Sequence, residues 1–145
     1  ILRPGMISRT TVEAVVGPTG RPSQVKREDE ARPAPGMIAR HYAPRARVVL
    51  FERTQFEDIQ RDAATRIAKG EALALILSTL SQPRDFAVQV FFGLGDDAAE
   101  YAAHLYDAFH AADESGCTTL YVERPPLTPE WDAIHDRLRR AAHPE

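Results

Sequence analysis

The sequence contains a single cysteine, Cys117, and no long hydrophobic run. One thiol excludes an internal disulfide and a cysteine-rich metal site, which fits a reducing, cytoplasmic setting. No apolar stretch approaches the roughly 20 residues that a membrane helix needs, so we expect no membrane association. The net charge of −3 lacks the strong positive field that non-specific nucleic-acid binding requires. What is left is the composition of a globular protein, with 43% hydrophobic and 27% charged residues.

The first part of the chain has little that could form a core of its own. The chain begins at Ile1 without a methionine or a signal-peptide layout, which we interpret as a piece of a longer polypeptide. Residues 1–17 predict a strand end, a turn and a short helix, with Thr10 and Glu13 as a capping box. Residues 18–35 are rich in proline and charge, and Val25 is their only aliphatic residue larger than alanine. This composition predicts a linker.

From Ala46 onward, short apolar runs alternate with segments of helical periodicity. The predicted strands are residues 48–51, 72–77, 86–92 and 118–122. Three helices are predicted from their starts: a capping box at Thr54 and Glu57, a cap at Asp96 or Asp97, and Thr128 followed by Pro129. The residues predicted to face the core from the last two helices include Tyr101, Leu105, Trp131, Ile134 and Leu138. We therefore expect an α/β fold: a small, Rossmann-like, mainly parallel sheet of about four strands flanked by helices. This domain is assigned to residues 46–145, with folding from about Ala46 to Ala142.

The loop Gly93-Leu94-Gly95 leads from a predicted strand into a predicted helix, where α/β folds bind phosphate. Carboxylates at Asp96, Asp97 and Glu100 follow, and these would repel a phosphate and already complement the helix dipole. A turn with a helix cap is the favoured interpretation. Phosphate binding and a metal site are the alternatives.

Other reactive side chains show no catalytic spacing. The histidines have no zinc-helix pattern, and Cys117 has no histidine nearby in sequence to form a thiolate pair. We interpret Cys117 as a buried thiol and the histidines as surface or boundary residues. The arginines near the end are typical of a helix C-terminus, with RNA contact as the alternative. The residues concerned are His104, His110, His135, His143, Arg137, Arg139 and Arg140.

A proline-bracketed segment at residues 35–44, PGMIARHYAP, differs from the linker before it. We call this segment the strap, and its prolines favour an extended backbone. Large and cationic side chains lie in it or just after it, including Arg40, His41, Tyr42, Arg45 and Arg47. Two interpretations are open at this point. The strap packs on its own C-terminal domain, or it is a lid over a neighbouring active site, where a guanidinium or phenol reaches an anionic substrate.

Four segments together resemble the two-domain threonylcarbamoyl-AMP synthases. They are residues 1–5 (ILRPG), the strap, residues 101–109 (YAAHLYDAF) and residues 134–141 (IHDRLRRA). The strap is the most specific of them, and the resemblance extends over the whole chain. Ile38 and Ala39 stand where many members carry a lysine and an aromatic residue, so a lysine-to-phosphate contact from the strap is not expected.

The resemblance implies a division of labour within a longer enzyme. A YrdC-like catalytic domain upstream of Ile1 would join L-threonine, bicarbonate and ATP, with magnesium accompanying the ATP, into threonylcarbamoyl-AMP for tRNA modification. Residues 1–17 would be the end of that domain, residues 18–45 the interdomain linker, and residues 46–145 an accessory domain. Arg3 and Tyr42 match nucleotide-binding positions, and the other strap positions of the family are Pro35, Gly36, Met37, Arg40, His41 and Pro44.

These expectations define the functional hypothesis for this chain. It supplies a lid and an accessory domain to a nucleotidyltransferase but no catalytic residue and no metal ligand, so alone it is expected to be inactive. It requires no cofactor of its own, and direct tRNA binding is not expected. The alternative is a stand-alone ligand-binding or RNA-docking regulatory module without catalysis.

Overall fold

A computed structural model of the protein describes residues 1, 5, 7–20 and 43–142. Helix α1 precedes the gap at residues 21–42, and four strands and three further helices follow that gap. The elements are α1 (Arg9–Val16), β1 (Arg47–Phe51), α2 (Phe56–Ala68), β2 (Leu73–Leu77), β3 (Val90–Gly93), α3 (Ala98–Glu114), β4 (Thr119–Glu123) and α4 (Asp132–Ala141). Short 3₁₀ turns at Arg53–Gln55 and Pro129–Trp131 lead into α2 and α4.

The strands form one parallel sheet in the order β1-β4-β2-β3. Helices α3 and α4 pack on one face of this sheet. Helix α2 and the loop before β3 cover the other face. The structure therefore confirms the predicted α/β fold with a parallel sheet of four strands.

Burial on both faces explains the sequences of the two central strands. All five residues of β2, LALIL, are buried, and so are all five of β4, TLYVE. Strands covered on both sides are expected to be continuously apolar rather than alternating. The polar hydroxyl of Tyr121 in β4 is accommodated because it donates a hydrogen bond to Asp62 of α2, 2.6 Å away. This bond, with help from Arg66, lowers the pKa of the Asp62 carboxyl.

The third strand is shorter than the predicted run of residues 86–92. It begins at Val90, although Phe86 is as deeply buried as a strand residue. The Phe86 ring lies 5.4 Å from Phe56 and 6.3 Å from Tyr121, over the α2 face of the sheet. The apolar character of Phe86 therefore comes from packing in a loop, which a strand pattern cannot distinguish from strand burial.

Two predicted capping boxes were wrong by two residues. Ser8, not Thr10, caps α1, because its hydroxyl accepts from the amide of Thr11 at 3.1 Å. At the 3₁₀ turn that leads into α2, the reciprocal pair is Glu52 with Gln55, and the Glu52 amide donates to Gln55 Oε1 at 2.8 Å. Both true caps lie two residues earlier than predicted, and the Glu52–Gln55 pair has the same spacing of three residues as the predicted pair.

Glu13 holds the end of α1 to the chain that follows it. Its Oε1 accepts hydrogen bonds from the amide and hydroxyl of Thr19, both at 2.9 Å, and from Arg9 Nε at 2.6 Å. These contacts, the Thr19 amide first, lower the pKa of Glu13 from 4.5 to about 2. Helix α1 buries none of its residues, so local contacts such as this one hold it to residues 17–20.

We predict that the contacts of Glu13 weaken as the pH falls from 4.5 towards 2. A carboxyl with a lowered pKa stabilises the folded arrangement fully above its unfolded value, and the stabilisation is lost as the group is protonated. The measurement is an NMR titration of the Glu13 side-chain carbon together with the Thr19 amide. A Glu13 midpoint near 4.5, with no coupled Thr19 shift, would contradict this arrangement.

Candidate functional site

The carboxyl ends of all four strands meet at one edge of the sheet. Strand β1 leads into α2 on one face, whereas its neighbour β4 leads into α4 on the opposite face. The two connections therefore diverge at this edge of the sheet. In open α/β sheets, ligands bind in the crevice where neighbouring connections diverge.

A buried carboxylate, Glu123, lies at this edge as the last residue of β4. Its side chain is 5% exposed. Arg53 Nη1, from the turn after β1, lies 3.0 Å from Glu123 Oε1. Ser78, directly after β2, donates to Oε2 through its amide at 3.3 Å and its hydroxyl at 3.2 Å. Glu123 therefore joins the ends of three neighbouring strands, and its lone pairs are well occupied without a ligand.

Tyr101 brings a buried phenol close to the same edge. Its hydroxyl has no hydrogen-bond partner within the described part of the chain. Burial, and secondarily the charge of Glu123, raises the pKa of this phenol. The ring of Tyr101 meets Trp131 edge-on, with centroids 5.4 Å apart. Tyr101 is thus a core residue whose hydroxyl is buried without a hydrogen-bond partner among the described residues.

The loop at residues 93–97 is built as a tight turn and a helix cap. Asp97 Oδ1 accepts from the amides of Ala99 and Glu100, both at 2.9 Å, so the first donors of α3 are already satisfied. Gly93 is required by space, because a Cβ there would lie 2.6 Å from the Leu80 Cα and the Thr79 carbonyl. Gly95 has φ +82°. The favoured interpretation of this loop, a turn with a cap, is confirmed.

The scattered candidates occupy separate places in the fold. His104 and His110 are exposed on α3, and the ring of His135 lies 3.0 Å from the Pro126 carbonyl. Cys117 is buried, and that burial, with a smaller effect of Asp113, raises the pKa of its thiol. Within residues 7–20 and 43–142, no three His, Cys, Asp or Glu side chains are grouped to hold a metal ion. His143 lies outside the described residues.

The arginines of α4 have partners on their own side of the domain. Arg139 and Arg140 both pair with Asp136, Arg139 at 2.7 Å. The Arg137 guanidinium stacks over the Tyr106 ring, 5.5 Å from its centre. The preference for a helix-end role over RNA contact agrees with this pairing.

Only the end of the strap belongs to the described residues. The other predicted site residues lie outside the described part of the chain: Arg3, Pro35, Gly36, Met37, Arg40, His41 and Tyr42. Pro44 is buried, and the next two amides donate to one carboxylate, Asp113, near the end of α3. The folded contacts thus begin two residues before the predicted boundary at Ala46.

The sequence analysis did not identify two acids that form these contacts: Glu123 at the ends of the strands and Asp113 at the start of the folded domain. Each had a weak signal. Glu123 puts a charge at the end of an apolar strand, where ligand-facing residues of α/β sheets lie. Asp113 is a carboxylate in the last turn of a helix, where the dipole disfavours it.

None of the helices in the described part of the chain has both the length and the apolar character that crossing a membrane requires. The strand order, the divergent connections and the buried acid define a small parallel α/β domain of Rossmann-like architecture. By sequence, residues 7–143 match the family described as the C-terminal domain of threonylcarbamoyl-AMP synthase. The chain belongs to that family.

Known relatives share the whole of this chain but are much longer. The threonylcarbamoyl-AMP synthase of Pyrococcus abyssi is 29% identical over 98% of this chain and 42% of its own length. That of Bacillus subtilis is 31% identical over 98% of this chain and 41% of its own length. The chain thus spans about two fifths of the relatives that it matches.

Two solved structures of P. abyssi Sua5 share the fold. One is a variant in which a consecutive histidine and tyrosine are replaced by alanine. It superposes with a TM-score of 0.81 and 29% identity, over 97% of this chain and 40% of the other. The second is a complex with L-threonine, with a TM-score of 0.79 and 31% identity over 97% and 41% of the two chains. The predicted family and the predicted fold are both confirmed.

Proposed function

We propose that this chain is the linker and C-terminal accessory domain of an L-threonylcarbamoyladenylate synthase, with the strap as the active-site lid. The complete enzyme would join L-threonine, bicarbonate and ATP into threonylcarbamoyl-AMP, with release of pyrophosphate and water. The product would serve tRNA modification. The observation that carries the proposal is the family match over residues 7–143 of a chain that spans two fifths of synthases named for this product.

In this proposal the catalytic domain precedes the chain in the same polypeptide. ATP, its magnesium, L-threonine and bicarbonate would all bind there, and Arg3 and Tyr42 would contact the nucleotide. A relative of this chain has been solved with L-threonine, which supports the threonine specificity of the complete enzyme. Helix α1 fits the same arrangement, because Val15 is 84% exposed and Val16 67% exposed. Exposed apolar groups of this kind mark surfaces that pack against another part of a protein.

The lid role is supported by the strap's histidine–tyrosine pair. This sequence has one histidine followed directly by a tyrosine, His41-Tyr42. A consecutive histidine and tyrosine were also the residues replaced in one solved relative. A lid contributes by excluding water and completing the set of groups around the substrate. The strap's proline-restricted backbone suits that task because less conformational entropy is lost when it closes.

The α/β domain itself offers little for catalysis among its described residues. Glu123 is engaged by Arg53 and Ser78, and the Cys117 thiol is buried with a raised pKa, so its thiolate is disfavoured. Catalysis needs groups placed around a reacting atom. An accessory role for this domain agrees with that chemistry.

We predict that Tyr42→Ala in the complete polypeptide lowers the rate of threonylcarbamoyl-AMP formation at least about tenfold, equivalent to about 1.4 kcal/mol of lost stabilisation. The assay is L-threonine- and bicarbonate-dependent release of pyrophosphate from ATP. The melting temperature of the α/β domain should not change. His104→Ala, an exposed substitution on α3, is the control for surface effects. If synthesis proceeds at the normal rate in Tyr42→Ala, the lid assignment is wrong.

A further inference from the structure

We infer that the carboxyl edge of the sheet is a binding site for a small carboxylate, and that the chain's own Glu123 side chain occupies the ligand position. Arg53, after β1, and Ser78, after β2, supply the donors of this site. A free carboxylate can bind there only when the Glu123 carboxylate is removed or displaced. The inference uses only contacts within the α/β domain, so it is independent of the proposed synthase function.

Three donors from two different loops converge on the Glu123 carboxylate. Arg53 Nη1 lies 3.0 Å from Oε1, and the Ser78 amide and hydroxyl lie 3.3 Å and 3.2 Å from Oε2. A guanidinium, a backbone amide and a hydroxyl are the groups with which proteins bind carboxylates, and their bonds to an anion are charge-assisted. None of the three belongs to β4, the strand that carries Glu123. The donors therefore do not depend on the Glu123 side chain for their place in the chain.

Glu123 fits these donors imperfectly because β4 fixes its backbone. The strand is buried along its whole length and is paired with β1 on one side and β2 on the other. Both Ser78 contacts are longer than the usual values of roughly 2.9 Å for an amide donor and roughly 2.8 Å for a hydroxyl donor. A free carboxylate has no such tether and can approach Ser78 more closely. Glu123 has the advantage of a high effective concentration, since it is attached next to the site.

The charges at this edge are balanced only while Glu123 is present. A second ion pair joins the same two loops, with Arg124 Nε 3.3 Å from Glu52 Oε1. Two arginines and two glutamates thus stand together, and removal of the Glu123 carboxylate leaves one excess positive charge. The Arg53 side chain is 67% exposed, so an anion from solvent can reach it. A local positive excess beside low-dielectric walls attracts anions.

Two further features of this edge agree with a ligand position. The connections after β1 and β4 run to opposite faces, and open α/β sheets bind ligands where this happens. The Tyr101 hydroxyl is buried without a hydrogen-bond partner in the described part of the chain, and the charge of Glu123 contributes to its raised pKa. Buried polar groups without a partner are rare in native proteins. This phenol is thus within the electrostatic influence of the anion position.

The test is an anion titration of Glu123→Ala in the 145-residue chain, with acetate as the probe and chloride keeping the ionic strength constant. Acetate at ten times its dissociation constant should raise the melting temperature of Glu123→Ala by at least about 5 °C, with saturation, and should shift the Ser78 amide resonance. The same acetate concentration should leave the unmodified chain unchanged, because Glu123 already fills the position. Acetamide, which has the shape of acetate without its charge, should have no effect on either protein.

Two variants are the controls for the position of the anion. Glu52→Ala also removes a glutamate from this edge, but its side chain is 58% exposed and its only printed partner is Arg124, so acetate should not stabilise that variant. Adding Arg53→Ala to Glu123→Ala should abolish the acetate response, because it removes the charged donor. Phosphate is the second probe. A response to phosphate without a response to acetate would overturn the assignment to carboxylates.

The remaining outcomes decide the inference without reference to enzymatic activity. An equal acetate effect on the unmodified chain and on Glu123→Ala, or an effect that persists without Arg53, would overturn it, because acetate would then act elsewhere. If Glu123→Ala does not fold, Glu123→Val gives the same test with a residue that suits a buried strand. Absence of a response in the folded variant, or failure of both variants to fold at any acetate concentration, would reject the site. Either result leaves the synthase proposal unchanged, and a synthase assay that fails leaves this inference unchanged.

Discussion

Replacing Trp131 with alanine is expected to lower the free energy of unfolding by about 3–5 kcal/mol. Trp131 is the last residue of the 3₁₀ turn before α4 and is 3% exposed. Its indole packs edge-on against Tyr101 in the core between the helices and the sheet. Its removal loses both buried apolar area and the contacts lining the cavity that is left. A domain of this size has only about 5–15 kcal/mol in total, so the loss is a large fraction of the stability.

The measurement is thermal or denaturant unfolding followed by circular dichroism. The melting temperature should fall by more than roughly 10 °C. Leu127→Ala is the matched control, because Leu127 lies four residues earlier and is 89% exposed. That variant should remain within about 0.5 kcal/mol of the original. A Trp131→Ala domain as stable as the Leu127→Ala domain would show that α4 is not packed as described.

The periodic features of the sequence predicted most of this core. The stripe of Trp131, Ile134 and Leu138 is buried, and the continuous apolar run at residues 72–77 became β2, a central strand. These predictions succeed because the spacing of apolar residues along the chain shows which helix face, or which whole strand, is buried. The same reasoning predicts which strands are central, because a strand covered on both faces is continuously apolar and does not alternate between apolar and polar residues.

Local sequence patterns predicted less well where a tertiary contact determines the start of a strand or the partners of a side chain. Phe86 is apolar because its ring packs on Phe56, and the strand starts only at Val90. The Asp113 carboxylate meets amides 67 and 68 residues earlier in the chain. The Glu123 cluster joins the ends of three strands. Juxtapositions of this kind depend on the sheet order, which periodicity does not contain.

The two acids that the sequence analysis missed tie different parts of the fold together. Glu123 lies at the edge of the sheet where α/β folds bind ligands. Arg53 and Ser78 occupy its oxygens, so its observed role is a structural tie between loops. Asp113 uses its oxygens on the amides of Arg45 and Ala46, just before β1.

The second large effect is expected at Gly93, the last residue of β3. A Cβ at this position would lie 2.6 Å from the Leu80 Cα, 2.6 Å from the Thr79 carbonyl oxygen and 2.9 Å from the Leu80 carbonyl carbon. All three are backbone atoms, so no side-chain rotation relieves the clash. The loop after β2 would have to move, and with it Ser78, which holds Glu123.

We therefore predict that Gly93→Val lowers the free energy of unfolding by about 3 kcal/mol, and Gly93→Ala by about 1–3 kcal/mol, the usual range for overpacking. Denaturant unfolding measures both values, and the graded loss with side-chain size identifies space as the cause. Gly20→Ala is the control, because a Cβ there meets no atom within 4 Å. Gly93 pairs with Leu77 in the sheet, and Leu94 donates to the Leu77 carbonyl at 3.0 Å. Slower or unchanged amide exchange at Leu94 in Gly93→Val would mean that the β2 loop yields freely, and the close approach would then not be what requires glycine.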